Sequence, residues 1–80
     1  MNEITDHGKG VYSVRSKDYA EGRGYVKYAD TEDGFYIILY SDDTVDIHAS
    51  WISTVAELES FQHALTLALD EHKRMQEAQT

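Results

Sequence analysis

Asp46, His48 and Ser50 stand at alternate positions in TVDIHAS, so a strand there points a carboxylate, an imidazole and a hydroxyl to one side. That is the side-chain set of a hydrolase, yet the surrounding residues supply neither a strained nucleophile turn nor the N–H donors of an oxyanion hole. A solvated strand face accounts for the same three residues. Glu59, His63 and Asp70 fall on one side of a helical stretch and have the donor types of a metal site. On a bare helix surface such a site lacks the outer hydrogen bonds that orient ligands, and an exposed Glu-to-His pair four residues apart explains them better.

Asp30-Thr31-Glu32-Asp33-Gly34 has the outline of a calcium loop. With Gly34 at the sixth position, Ala29 comes first, Thr31 third and Tyr40 twelfth, so three ligand positions fail. Gly22-Arg23-Gly24 and Gly8-Lys9-Gly10 are too short to cradle a phosphate and read as turn glycines. His72 falls inside an apolar helical stripe, where capping the helix end or packing over the sheet edge suffices. The residues therefore predict no catalytic set, no cofactor and no metal: a chain that is not an enzyme.

Composition narrows the partners. Eighty residues without Cys or Pro make one small domain with a scanty core and neither disulfide nor thiolate metal site to reinforce it, a pattern that fits a reducing, cytoplasmic setting. MNEITDHGKG lacks the basic and apolar blocks of a secretory signal, and no apolar run reaches the length of a membrane span. The net charge is −8, and it is unevenly spread. Residues 1 to 27 hold five bases against four acids, whereas residues 28 to 72 hold ten acids and no Lys or Arg. A surface of that kind repels phosphate backbones and anionic lipid and attracts basic protein. Direct nucleic-acid and membrane binding are both disfavoured.

The positioning elements follow from periodicity. Residues 1 to 8 read as a flexible head, and 9 to 80 as a single α+β domain of order ββββα. It comprises an antiparallel sheet of three to four strands, at about 11–16, 24–30, 35–40 and 44–50, packed on one C-terminal helix at about 54–76. VYSVRS alternates in the manner of an edge strand, and Asp33-Gly34 favours the hairpin that follows 24–30. Residues 35 to 40 are apolar on both faces and so should be central.

Register at the next turn decides which face is which. A two-residue loop pairs Tyr40 with Val45, whereas a three-residue loop, Ser41 to Asp43, pairs Leu39 with Val45 and Ile37 with Ile47. The second is preferred because it gathers Phe35, Ile37, Leu39, Val45 and Ile47 on one side for the helix to cover. Asp43 accepts the left-handed backbone such a loop needs. Thr54 and Glu57 have capping-box spacing, and Val55, Leu58, Phe61, Leu65, Ala68 and Leu69 form the stripe predicted to meet the sheet.

If the helix covers the Phe35 face, Tyr36, Ile38 and Tyr40, joined by Tyr25, form an aromatic patch on the other face, a typical interface composition. With Asp42, Asp43 and Asp46 nearby, and Leu67 projecting from the polar side of the helix, these are the predicted partner-binding residues. Two readings follow. One is a small acidic protein-binding module that docks on a basic protein surface. The other is a homodimer, joined through the tyrosine faces or through Leu67, whose acidity serves solubility alone. In composition and plan, with no motif behind it, the chain resembles small phage-encoded inhibitors of host machinery; that resemblance implies a nucleic-acid-handling host protein as the partner.

Overall fold

A computed structural model of the chain describes residues 2–32 and 34–79, so that Met1, Asp33 and Thr80, with the Asp33 half of the predicted Asp33-Gly34 turn, lie outside the described residues. The alternating stretches form one antiparallel sheet of five strands in sequence order: β1 (Glu3–Asp6), β2 (Val11–Arg15), β3 (Tyr25–Asp30), β4 (Tyr36–Tyr40) and β5 (Val45–His48). One helix, α1 (Val55–Gln79), packs on it. The expected α+β plan stands, with one strand more than the three to four predicted. EITD, within the stretch read as a head, pairs with β2, so β1 takes the edge that the sequence assigned to residues 11–16.

The three-residue loop is the one formed. Leu39 lies opposite Val45 and Ile37 opposite Ile47, with Asp43 at φ +77°. Asp42 stabilises the turn by accepting the Thr44 N–H at 3.1 Å and the Thr44 hydroxyl at 2.5 Å. Beside this turn, just before β3, the chain passes through Gly24 at φ +90°, where a Cβ would fall 2.1 Å from the Ser16 hydroxyl oxygen. That oxygen is already committed to the Tyr25 N–H at 2.9 Å, so the position admits only glycine.

Period-two alternation then sorts the sheet into an inner face, carrying Val11, Ser13, Val26, Tyr28, Ile37 and Leu39, and an outer face. Phe35, Ile37 and Leu39 are buried as expected. Val45 and Ile47 share that inner face but remain 59% and 49% exposed, which corrects the expectation that the helix covers them. The helix packs chiefly across β2, β3 and β4.

The stripe the helix turns to the sheet also differs from the predicted one. Ala64 and Ala68 are buried, with Phe61, Leu65, Leu67 and Met75 packed around them, while Val55, Leu58 and Leu69 are more than half exposed. The reason is volume. Tyr19, Tyr28 and Phe35 already fill the space above the sheet, Phe35 meeting Phe61 edge-on at 5.1 Å, so the helix closes over them with its smallest side chains.

Charge holds it in that rotation. Glu71, only 4% exposed, accepts a hydrogen bond from the Arg15 guanidinium of β2 at 2.5 Å and a second from Arg74. Rolling the Leu58 and Leu69 side inward would lift Glu71 away from Arg15 and leave a partly buried carboxylate short of a partner. At the start of the helix the Thr54 hydroxyl accepts the Glu57 N–H at 3.1 Å. The other half of the capping box differs from expectation, because the Glu57 carboxylate takes the Thr54 and Ser53 hydroxyls, at 3.0 and 3.2 Å.

Candidate protein-binding surfaces

Register assembles the outer face strand by strand. Tyr25 lies opposite Tyr40, Lys27 opposite Ile38, Ile38 opposite Asp46, and Tyr36 opposite His48. Four of the predicted contact residues, Tyr25, Tyr36, Ile38 and Tyr40, are thereby brought together, with Asp46 beside them. Among the described residues no element covers this face. Its side chains are nevertheless half-buried, because they pack on one another: Tyr25 against Tyr40 with ring centres 6.5 Å apart, and Tyr36 stacked on His48 at 5.4 Å and 15°. Trp51, 64% exposed, closes the row by meeting His48 edge-on at 4.6 Å.

Lys27 was not anticipated on this face. Its Nζ sits 5.4 Å from the centre of the Tyr36 ring, a cation–π contact that occupies the middle of the patch. A shallow recess of about 170 Å³ lies here, lined in part by Tyr12, Lys27, Tyr36, His48 and Trp51. It is far smaller than a site that engulfs a cofactor, and it suits a single protruding side chain.

The acidic turn lies at the Tyr40 end. Asp42 is exposed, and the Thr44 side-chain hydroxyl, with the Thr44 N–H, holds its carboxyl below the usual aspartate value. Asp43 faces the other way, toward the helix, meeting His72 Nε2 at 2.9 Å and the Gln76 amide at 3.2 Å. His72 thus packs over the sheet's corner, as its place in the stripe predicted. Leu67, half-buried, packs against the core and also lines a surface recess with Asp70, Lys73, Arg74 and Glu77.

Two Ser–His pairs stand among the described residues. His48 Nε2 shares a hydrogen bond of 3.1 Å with the Ser50 hydroxyl on an exposed edge, and its ring is spent on Tyr36 and Trp51. A second Ser–His pair, unforeseen from sequence, joins His7 Nε2 to the Ser13 hydroxyl at 2.7 Å. Ser13 is only 6% exposed and the His7 ring lies against Tyr28, with His63 hydrogen-bonded to the His7 carbonyl. These contacts make the pair a tie between β2, the residue that follows β1 and the helix.

Sequence reasoning missed a second apolar surface. Val45, Ile47, Val55, Leu58 and Leu69 are all large, apolar and about half exposed or more. A signal for it was present: Val55, Leu58, Gln62, Leu65 and Leu69 recur at alternating spacings of three and four, as do Glu57, Phe61, Ala64, Ala68 and Glu71. The predicted stripe drew Val55, Leu58, Leu65 and Leu69 from the first series and Phe61 and Ala68 from the second, and packing volume centres the contact on the second. Among the described residues, no helix is long and apolar enough to cross a membrane. Comparison with family models, with curated proteins and with solved structures finds no match.

Proposed function

We propose that the chain is a non-enzymatic, acidic protein-binding module that docks through its outer sheet face on a basic protein surface. The observation that carries this reading is an uncovered sheet face bearing Tyr25, Tyr36, Ile38 and Tyr40, with exposed Asp46 and Asp42 along the β5 side. Tyrosine there presents rigid apolar area with a hydroxyl that tolerates water, and the base-free span 28–72 supplies attraction at longer range. The plan resembles small phage-encoded inhibitors, so a nucleic-acid-handling host protein in the cytoplasm is the partner class proposed.

The test is capture from a cell lysate by the wild-type chain, by Tyr36→Ala and by Asp42→Asn/Asp46→Asn, each washed over a range of salt. The expected partner carries a basic surface, is lost with Tyr36→Ala, and dissociates as the screening length falls from about 10 Å at 0.1 M to about 3 Å at 1 M salt. An acidic partner, or retention indifferent to salt and to both variants, would sink the reading.

A further inference from the structure

The helix is longer than its task of covering the sheet requires. Its 25 residues span about 37 Å, whereas the strands beneath it, β2, β3 and β4, have five to six residues, or about 17 to 20 Å. Two parallel seams run along it. The inner seam, Glu57, Phe61, Ala64, Ala68, Glu71 and Met75, meets the sheet. The outer seam, Val55, Leu58, Gln62, Leu65, Leu69 and His72, follows the same three-and-four spacing and holds the larger aliphatic side chains, with Val55 72%, Leu58 55% and Leu69 54% exposed. Apolar residues repeating every 3.5 positions on a free helix face are the pattern by which one helix packs against another.

We infer that this outer seam is the contact surface for a second copy of the chain, the two helices packing antiparallel about a two-fold axis. Charge separates a second copy from a basic partner. In a chain of net charge −8, the seam positions themselves carry no acid; Glu59 borders the seam beside Val55 and Gln62, Asp43 meets its His72 end, and Asp70 lies on the other flank of the helix. A basic partner finds acids only at the rim of the seam, and a like copy meets uncharged, mainly apolar side chains at its centre. The spacing is also self-complementary. An antiparallel axis between Gln62 and Leu65 sets Leu58 opposite Leu69 of the second copy, and Val55 opposite its His72, as a two-fold interface requires.

Area fits as well. His72 and Gln76 reach Asp43 in the β4–β5 turn, so the seam faces the β5 side, where Val45 and Ile47 extend the apolar surface. The exposed parts of these side chains amount to about 500 Å². A standard interface takes about 800 Å² from each partner, roughly 60% of it apolar, which is that same amount. Dimerisation through this seam leaves both outer sheet faces free, so it goes beyond the proposed docking role and makes the assembly two-sided.

Size-exclusion chromatography with light scattering on the full chain tests it, using wild type, Leu58→Asp, Leu69→Asp and, as a control on the other face, Tyr36→Ala. Wild type and Tyr36→Ala are expected at twice the 9.1 kDa of one chain at high micromolar concentration. Each Asp variant is expected at a single chain's mass with an unchanged circular dichroism spectrum. A monomeric wild type, a dimer that survives both Asp variants, or loss of folded spectrum in both, which would place these leucines in the monomer's own core, each overturns it. Loss of the dimer in Tyr36→Ala alone would move the interface to the sheet and overturn it too. Because lysate capture reads the outer face and light scattering reads the helix seam, either proposal can fail without the other.

Discussion

Ile37 and Ile47 are the same residue, on the same inner face, directly opposite one another in adjacent strands, yet one is 2% exposed and the other 49%. Replacing each by Ala therefore isolates what the helix does. Both variants lose the strand preference of a β-branched side chain, so that cost largely cancels in the comparison. At Ile37 the lost methyl groups leave a void beneath the helix, and the expected cost is about 2 to 5 kcal/mol. At Ile47 half the surface is already wet and no enclosed void forms, so about 1 kcal/mol is expected. For a domain of this size each kcal/mol moves Tm by about 4 to 8 °C, and a difference of about 2 kcal/mol separates the two melts by about 8 to 16 °C. The assay is thermal and urea unfolding followed by circular dichroism, at concentrations where light scattering gives a single chain, so that self-association does not bury Ile47. Equal costs, or a larger cost at Ile47, would mean that the helix covers β5 after all and that the assigned helix rotation is wrong.

Ala64→Leu adds hydrophobic bulk where Ala64 is fully buried under Tyr28 and its neighbours, and is expected to destabilise by about 1 to 3 kcal/mol in the same unfolding assay; stabilisation would show room between helix and sheet. Alkaline pH gives an independent check. Burial first, and the nearby Glu71 charge second, push the Tyr28 phenol up to about 12 and raise Tyr19 as well. Unfolded phenols ionise near 10, so above that pH the unfolded chain has released protons the native chain still holds. The phenols' contribution to stability is expected to be constant below about pH 10 and to be lost as pH rises toward about 12, with Tyr28→Phe reducing the slope in that window; an unchanged slope in that variant would remove Tyr28 as its source.

The local elements were legible where one physical preference dominated. Alternation in 24–30 and 35–40, the tolerance of Asp43 for positive φ, and Thr54 as helix cap each act within a few residues, and each appears in place. EITD was not legible as a strand, because four exposed residues with two acids carry no core signal and are held by pairing with β2. Of the candidate surface, the tyrosine face was readable once register was chosen. Lys27 over Tyr36 and the stack through His48 to Trp51 were not, since they join side chains from different strands and from the loop beyond.

By itself, then, the sequence determined the strands 11–16 to 44–50, the helix and the concentration of acid in one span, all of which rest on short-range stereochemistry or on composition. The register at 41–44 stood open between two loop lengths until the structure set Leu39 opposite Val45. Tertiary structure alone decided which of two equally spaced helix seams meets the sheet. Of the predicted stripe, Phe61, Leu65 and Ala68 do pack on the core, but with Tyr19, Tyr28 and Phe35 filling the space Ala64 sits at its centre where Leu58 and Leu69 were expected, and the Arg15–Glu71 pair holds that rotation. That choice leaves Val45, Ile47, Leu58 and Leu69 at the surface. It depends on the sum of side-chain volumes across a two-layer core, a quantity that no single stretch of sequence contains.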